Sequence, residues 1–320
     1  MLKTVATLLA LLAFTPAPSV AQDAYPTRPV TVIVPFPAGS ATDSVARKLA
    51  ESLREQLGQN FVVENKAGAD GIVAARAVAS AAPDGYTLLV TTNTTHAANP
   101  SIYRQLPYDP QKDFTPVAGI IQIPFMLAVR PEFPAEDLAG FLKVARASNP
   151  KLSYGSGNTG SRASGEMLKA RTGIDMLHVP YRGSPQAITD LIGGRIDVFF
   201  PDPASGLGMI EEKKLKILAI TGDKRVKTLP SIPTMEEQGV PNYRIVAWVA
   251  MFGPAGLPVP VTARLNGATV KALGQSDMVQ FLDRVGSDPF PTSPAELATF
   301  VAEDAKRWVE IVETAQIERK

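Results

Sequence analysis

Three glycines, Gly155, Gly157 and Gly160, stand in the stretch YGSGNTGS with the G-x-G-x-x-G spacing of a dinucleotide-binding turn. In that chemistry the glycines let the backbone approach a pyrophosphate, and a carboxylate ending the next strand holds the ribose hydroxyls. Here the next strand, MLHV, ends in His178, Val179, Pro180 and Tyr181, with no carboxylate. A phosphate-cradling P-loop fails too, because Ser161 stands where its lysine belongs. The physics beneath both motifs survives. A Gly/Ser/Thr loop that opens a helix offers backbone N–H groups and hydroxyls at the positive end of the helix dipole, a setting that favours an anion. A carboxylate suits it as well as a phosphate.

One such loop is often a bare strand-to-helix connection, but this chain has three. VIVPFPAGSATD (Val32–Asp43) and TTNTTHAANP (Thr91–Pro100) are again hydroxyl-rich and again follow apolar strand patterns. Three loops of this kind at one mouth make a cage for a small anionic molecule. Covalent catalysis has no comparable set. A Ser–His–Asp hydrolase needs a G-x-S-x-G elbow, and Ser164 has Arg162 where the first glycine belongs. His178 reads as a satisfied core histidine and His96 as a local hydrogen-bonding group. With no cysteine and two histidines, the chain has neither a disulfide, a thiolate metal site nor a histidine-rich one. The expectation is a binding protein with no cofactor and no metal, not an enzyme.

Single residues carry two readings each. Asp43 either caps the first turn of its helix, complementing the dipole, or orients a bridging water or a ligand ammonium. Arg162 either forks onto a carboxylate through two parallel hydrogen bonds or faces solvent, and Arg182 shares that ambiguity. Tyr181 and Phe36 either stack on an aromatic acid or wall the cleft.

The elements that must position these loops alternate along the chain as βα units of parallel sheets. Strand patterns fall at Val30–Val34, Phe61–Val63, Tyr86–Thr91, Met126–Val129, Leu152–Tyr154, Met176–Val179, Ile196–Phe200 and Ile217–Thr221. Val45, Leu49, Leu53 and Leu57 recur every four residues and Gly58 ends that helix; Leu297 to Val312 carries a second apolar stripe. Two long apolar segments, Phe114–Arg130 and Tyr243–Phe252, read as crossings between domains. Residues 22–123 and 243–320 then build one discontinuous domain, and 124–242 the other. The fold expected is α/β, two doubly wound domains facing across a cleft, with the ligand outside the carboxyl ends of the strands.

The first residues, MLKTVATLLALLAFTPAPSVAQ, read as a secretory signal peptide spanning 1–21, cleaved after Ala21. The apolar run is too short to span a bilayer, which takes about 20 apolar residues. Its removal takes Lys3 with it, leaving the 32 Lys and Arg of the chain at 31 against 31 Asp and Glu. A balanced charge argues against nucleic-acid binding.

The ordered segments PFPAGSATD, ENKAGADG, PDGYTLLV, HAANPSIYRQLPYDPQKDFTPV, YGSGNTGS, VPYRG, GGRIDVFF, LAITGDKR, LPSIPTMEEQGVP and AWVAMFGPAGLP resemble the periplasmic solute receptors of tripartite tricarboxylate transporters, the Bug or citrate-receptor-like family. The resemblance covers essentially the whole mature chain. It implies a type II periplasmic binding protein, or Venus flytrap, that closes on a carboxylate: a di- or tricarboxylate, an amino acid or an aromatic acid. It implies a monomer that delivers its ligand to two membrane permease subunits or, in a sensing role, presents its bound state to a histidine kinase. Carried over by position, the first pincer is Phe36, Pro37, Ala38, Gly39, Ser40 and on to Asp43. The second is Ser156, Gly157, Thr159, Gly160, Ser161 and Arg162. Asn93, Thr94 and Thr95 flank the ligand, and Tyr181, Arg182, Gly183 and Asp202 line its far end. Ser40 replaces the second glycine usual in the first pincer, and the second pincer is about two residues short of the common length.

Overall fold

The computed structural model describes residues 25–320; the expected signal peptide, 1–21, lies outside the described residues. The chain begins with β1 (Val30–Val34), α1 (Ala41–Leu57), β2 (Phe61–Asn65), α2 (Ile72–Ala79), β3 (Thr87–Thr92), α3 (Asn99–Ile102) and β4 (Phe114–Pro124). It continues through β5 (Met126–Val129), α4 (Leu138–Ala147), β6 (Ser153–Ser156), α5 (Thr159–Thr172), β7 (Leu177–Pro180), α6 (Ser184–Ile192), β8 (Val198–Phe199), α7 (Pro203–Glu211) and β9 (Lys216–Ile220). It returns with β10 (Val246–Pro254), α8 (Val259–Leu273), α9 (Ser276–Arg284), β11 (Asp288–Pro289) and α10 (Pro294–Thr314).

Local chemistry sets the element ends. In α1 the Ser40 hydroxyl accepts from the Asp43 N–H, and Gly58 closes the helix at φ 72°, a left-handed residue that glycine adopts without penalty. Val45, Leu49 and Leu53 form its buried stripe. A reciprocal capping box between Ser293 and Glu296, with Pro294 behind it, starts α10.

The strands assemble into two sheets. The first has the order β11-β4-β10-β3-β1-β2 and the second β7-β6-β8-β5-β9. In the first, β1 lies parallel to β2 and β3, while β10 runs antiparallel to β3 and β4. In the second, β6 is parallel to β7 and β8, and β5 antiparallel to β8 and β9. Apolar helix faces cover both sides of the first sheet. Ala74 and Val78 of α2 pack on one side with Leu297 and Trp308 of α10. Val45 of α1, Leu265 of α8 and Met278 of α9 cover the other. The second sheet is sandwiched likewise between Phe141 of α4 and Leu168 of α5 on one side and Ile188 and Leu191 of α6 on the other.

Both crossings run as apolar strands between the sheets. β4 passes into β5 through Phe125, and the chain returns through Tyr243 and Ile245 into β10. One residue ties the two crossings together. The fully buried Thr221 hydroxyl accepts from the Phe125 N–H at 2.8 Å and donates to the Ile245 carbonyl at 2.6 Å. The Thr221 backbone repeats the clasp, donating to Phe125 and accepting from Ile245.

Two local expectations change. The stretch after β3 is not an open polar loop: Thr94–Ala98 forms a π-helical turn, and Thr91 through Asn99 are buried. The buried hydroxyls bond one another, Thr91 Oγ1 lying 2.7 Å from Thr95 Oγ1 and the latter 2.8 Å from His96 Nδ1, whereas His96 Nε2 and Asn99 Oδ1 are buried with no hydrogen-bond partner among the described residues. His178 sits on the edge strand β7 rather than in a core. It is half-buried, stacked on Tyr154 at 5.0 Å, with Nε2 2.7 Å from Ser156 Oγ.

Candidate functional site

Five strands deliver their C-terminal ends to one place between the sheets. β1 feeds Phe36–Ser40, β3 feeds Asn93 and Thr94, and β6, β7 and β8 feed the turns into α5, α6 and α7. Together they enclose a cavity of about 200 Å³. At about 30 Å³ per water in the liquid, that is room for roughly seven waters or a small organic acid. The crossings supply its apolar walls, with Ile123 and Phe125 from one and Ala247 from the other.

Four helix N-termini open on the cavity. The first turn of α1 contributes Ala41 and Thr42, whose N–H groups have no intrahelical acceptor. Gly160 does the same for α5, and α6 begins at Gly183 with no side-chain cap. Asp202 caps α7, and its two oxygens take the Ser205 N–H at 2.9 Å and the Ser205 hydroxyl at 2.9 and 3.0 Å. The summed dipoles give the cavity a positive potential with few formal charges. Arg182 and Asp202 are the charged residues lining it. Burial raises the Asp202 carboxyl above its ordinary range, although Ser205 pulls the other way.

The three glycines of the G-x-G-x-x-G are packing glycines. A Cβ on Gly155 would stand 2.6 Å from Ile196 Cδ1, one on Gly157 2.5 Å from the Ser184 nitrogen, and one on Gly160 2.2 Å from the Phe125 ring. The motif thus lets β6, the α6 N-terminus and the first crossing close on one another. In the first loop Gly39 turns at φ 79°, a conformation that glycine adopts readily.

Of the residues expected at the site, Phe36, Pro37, Ala38, Gly39 and Ser40 line the cavity, as do Asn93 and Thr94. Gly157 and Gly160 line it from the second sheet, with Arg182, Gly183 and Asp202. The others stand behind this wall. Asp43 is 3 % exposed and accepts from Gly39 N (2.9 Å), Arg47 Nε (3.1 Å) and Asn65 Nδ2 (2.8 Å). Burial pushes its carboxyl upward, but the bonds from Arg47, Asn65 and Gly39 outweigh that and hold it below the usual range. Ser161 braces the second loop, its hydroxyl accepting from the N–H groups of Gly157 at 3.0 Å and Asn158 at 3.1 Å. Ser156 is turned to His178 and Thr95 to Thr91 and His96. The Tyr181 hydroxyl donates to Asp190 at 2.9 Å, and Thr159 opens α5 without reaching the cavity. Arg162 lies off the wall with its Nε buried and unpartnered, and its charge helps depress the basicity of His178 after burial.

Several lining residues escape sequence reasoning. Ile123, Phe125 and Ala247 read only as crossing strands. Ser184 and Pro185 follow a predicted turn. Asn158, inside the expected second pincer, lines the cavity and caps α5, its side chain accepting from the Ser161 N–H at 2.8 Å. Ser205 was legible in principle, since it stands three residues after a helix-capping aspartate.

Comparison with known proteins fits this geometry. A solved R. palustris protein with adipate is 34% identical, superposes with a TM-score of 0.88, and covers 92% of this chain and 100% of its own. The periplasmic binding protein BugD is 33% identical with a TM-score of 0.84, covering 92% of this chain and 100% of its own. MatC of Rhodopseudomonas palustris, with bound malate, is 36% identical with a TM-score of 0.81 and covers 90% of this chain and 100% of its own. The profile described as the tripartite tricarboxylate transporter family receptor matches residues 45–317, and the chain belongs to that family of solute-binding receptors.

Proposed function

We propose that this receptor works in the periplasm, captures a small carboxylate in the cavity between its sheets, and delivers it to the membrane permease subunits of a tripartite transporter. The observation that carries the reading is the convergence of four helix N-termini on one cavity of about 200 Å³. The carboxylate head accepts from first-turn N–H groups of α1 and α5, which the side chains of Asp43 and Ser161 hold in place. Residues 22–123 and 243–320 act as one body and 124–242 as the other, closing about the Thr221 clasp and expelling water. Related solved structures hold adipate and malate, both small dicarboxylates, which supports the reading. Export, directed by the signal peptide expected at residues 1–21, is part of the same reading.

A thermal-shift panel of carboxylic acids, each beside its primary amide, tests the reading. An acid at a hundred times its Kd adds about 2.7 kcal/mol of stability and raises Tm by several degrees, while its amide gives no shift. Equal shifts from acid and amide would refute carboxylate recognition.

A further inference from the structure

The cleft continues past the cavity just described. A groove of about 400 Å³ lies alongside and shares Gly39, Ala41, Pro185 and Ser205 as common walls. Its remaining apolar surface comes from Val45 of α1, Ile188 of α6, Met209 of α7, and Phe281 and Val285 of α9. Among the described residues no charged side chain lines it. The groove thus adds aliphatic and aromatic side chains, interspersed with the neutral hydroxyls of Ser44, Thr189, Ser205 and Ser287, beside the cavity on which the helix N-termini open. The residues common to both spaces include Gly39 and Ala41, whose small side chains take up little room between them.

Resting on the carboxylate reading, we propose that the receptor accommodates an amphiphilic carboxylate whose apolar alkyl tail passes over Gly39 and Ala41 into this groove. The head sits among the N–H groups of α1 and α5. The tail displaces water from the half-buried Phe281, Val285 and Met209, surface that a short acid leaves wet. Each methylene buried there tightens binding by about fourfold, from the ~0.8 kcal/mol that burial of a CH₂ contributes.

Calorimetric titration with straight-chain monocarboxylates of about four to twelve carbons tests this in the purified, ligand-stripped protein. The expected result is an affinity that climbs about threefold to fourfold per carbon once the chain outgrows the inner cavity. Ala204→Trp and Thr189→Trp, at exposed positions lining the groove but not the cavity, abolish the climb and leave the shortest acids unchanged. Two variants on different helices guard against a folding defect in either. An affinity that is flat or falls with length, with short acids still bound, overturns the tail site and makes the groove a closure seam, leaving the carboxylate reading intact. A climb that survives both variants also overturns it. Failure of every acid, short or long, contradicts both.

Discussion

Asp43, Ser161 and Asn158 belong to the candidate site without needing to touch a ligand. Their oxygens take the loop N–H groups of Gly39, Gly157, Asn158 and Ser161, so these side chains fix the loops while other first-turn N–H groups of α1 and α5 are left to face the ligand. Gly157→Ala puts a methyl 2.5 Å from the Ser184 nitrogen and 2.6 Å from the Gly183 carbonyl carbon, backbone atoms that cannot swing aside. Urea denaturation should show a loss of about 1–3 kcal/mol, together with weakened acid binding as α6 is pushed off the cavity. Gly208→Ala, in α7 with open space around the added carbon, should instead gain about 0.5–1 kcal/mol. His96 makes a pH prediction. Complete burial between Phe252 and Phe114 lowers its pKa to about 3, against about 6.5 in an unfolded chain. Between those values the unfolded state binds a proton that the folded state refuses, so stability falls on acidification by up to about 1.4 kcal/mol per pH unit. His96→Gln should flatten the slope of unfolding free energy between pH 6.5 and 5. An unchanged slope would mean that the imidazole takes its proton without unfolding. Sequence showed which residue types gather here, but not which face the ligand. Asp43 turns away because Asn65, 22 positions on, is there to meet it, and Tyr181 turns to Asp190.

At the scale of elements, the strand and helix patterns were largely legible because each has a local cause. The four-residue recurrence and Gly58 mark α1, and the Ser293–Glu296 box marks α10. The crossings were legible as long apolar segments that no single βα unit could absorb. Their clasp was not, since Thr221 meets Phe125 across 96 residues and Ile245 across 24. The π-helical turn at Thr94–Ala98 was equally hidden, because hydroxyl-rich sequence reads as exposed until its hydroxyls are seen bonding one another. Thr221→Val keeps the shape and strands the Phe125 N–H and the Ile245 carbonyl in an apolar interior, for an expected loss of about 1–3 kcal/mol. Thr221→Ser retains the hydroxyl and should lose much less. Equal losses in the two variants would show that the hydroxyl does not hold the crossings.

The whole molecule brings the strand ends of two helix-covered sheets together at one cavity. The chain needs no net charge to attract an acid, because aligned peptide dipoles supply a local positive potential. This also explains how a dinucleotide-like glycine spacing arises without a dinucleotide: close packing of loop on loop demands the same residue. The most direct test is a crystal structure of the protein with the acid that gives the largest thermal shift. The account predicts a carboxylate within about 2.7–3.1 Å of first-turn N–H groups of both α1 and α5, with Asp43 and Ser161 still engaged in their own loops. A carboxylate held instead by Arg162 or Arg182, away from the helix N-termini, would contradict it.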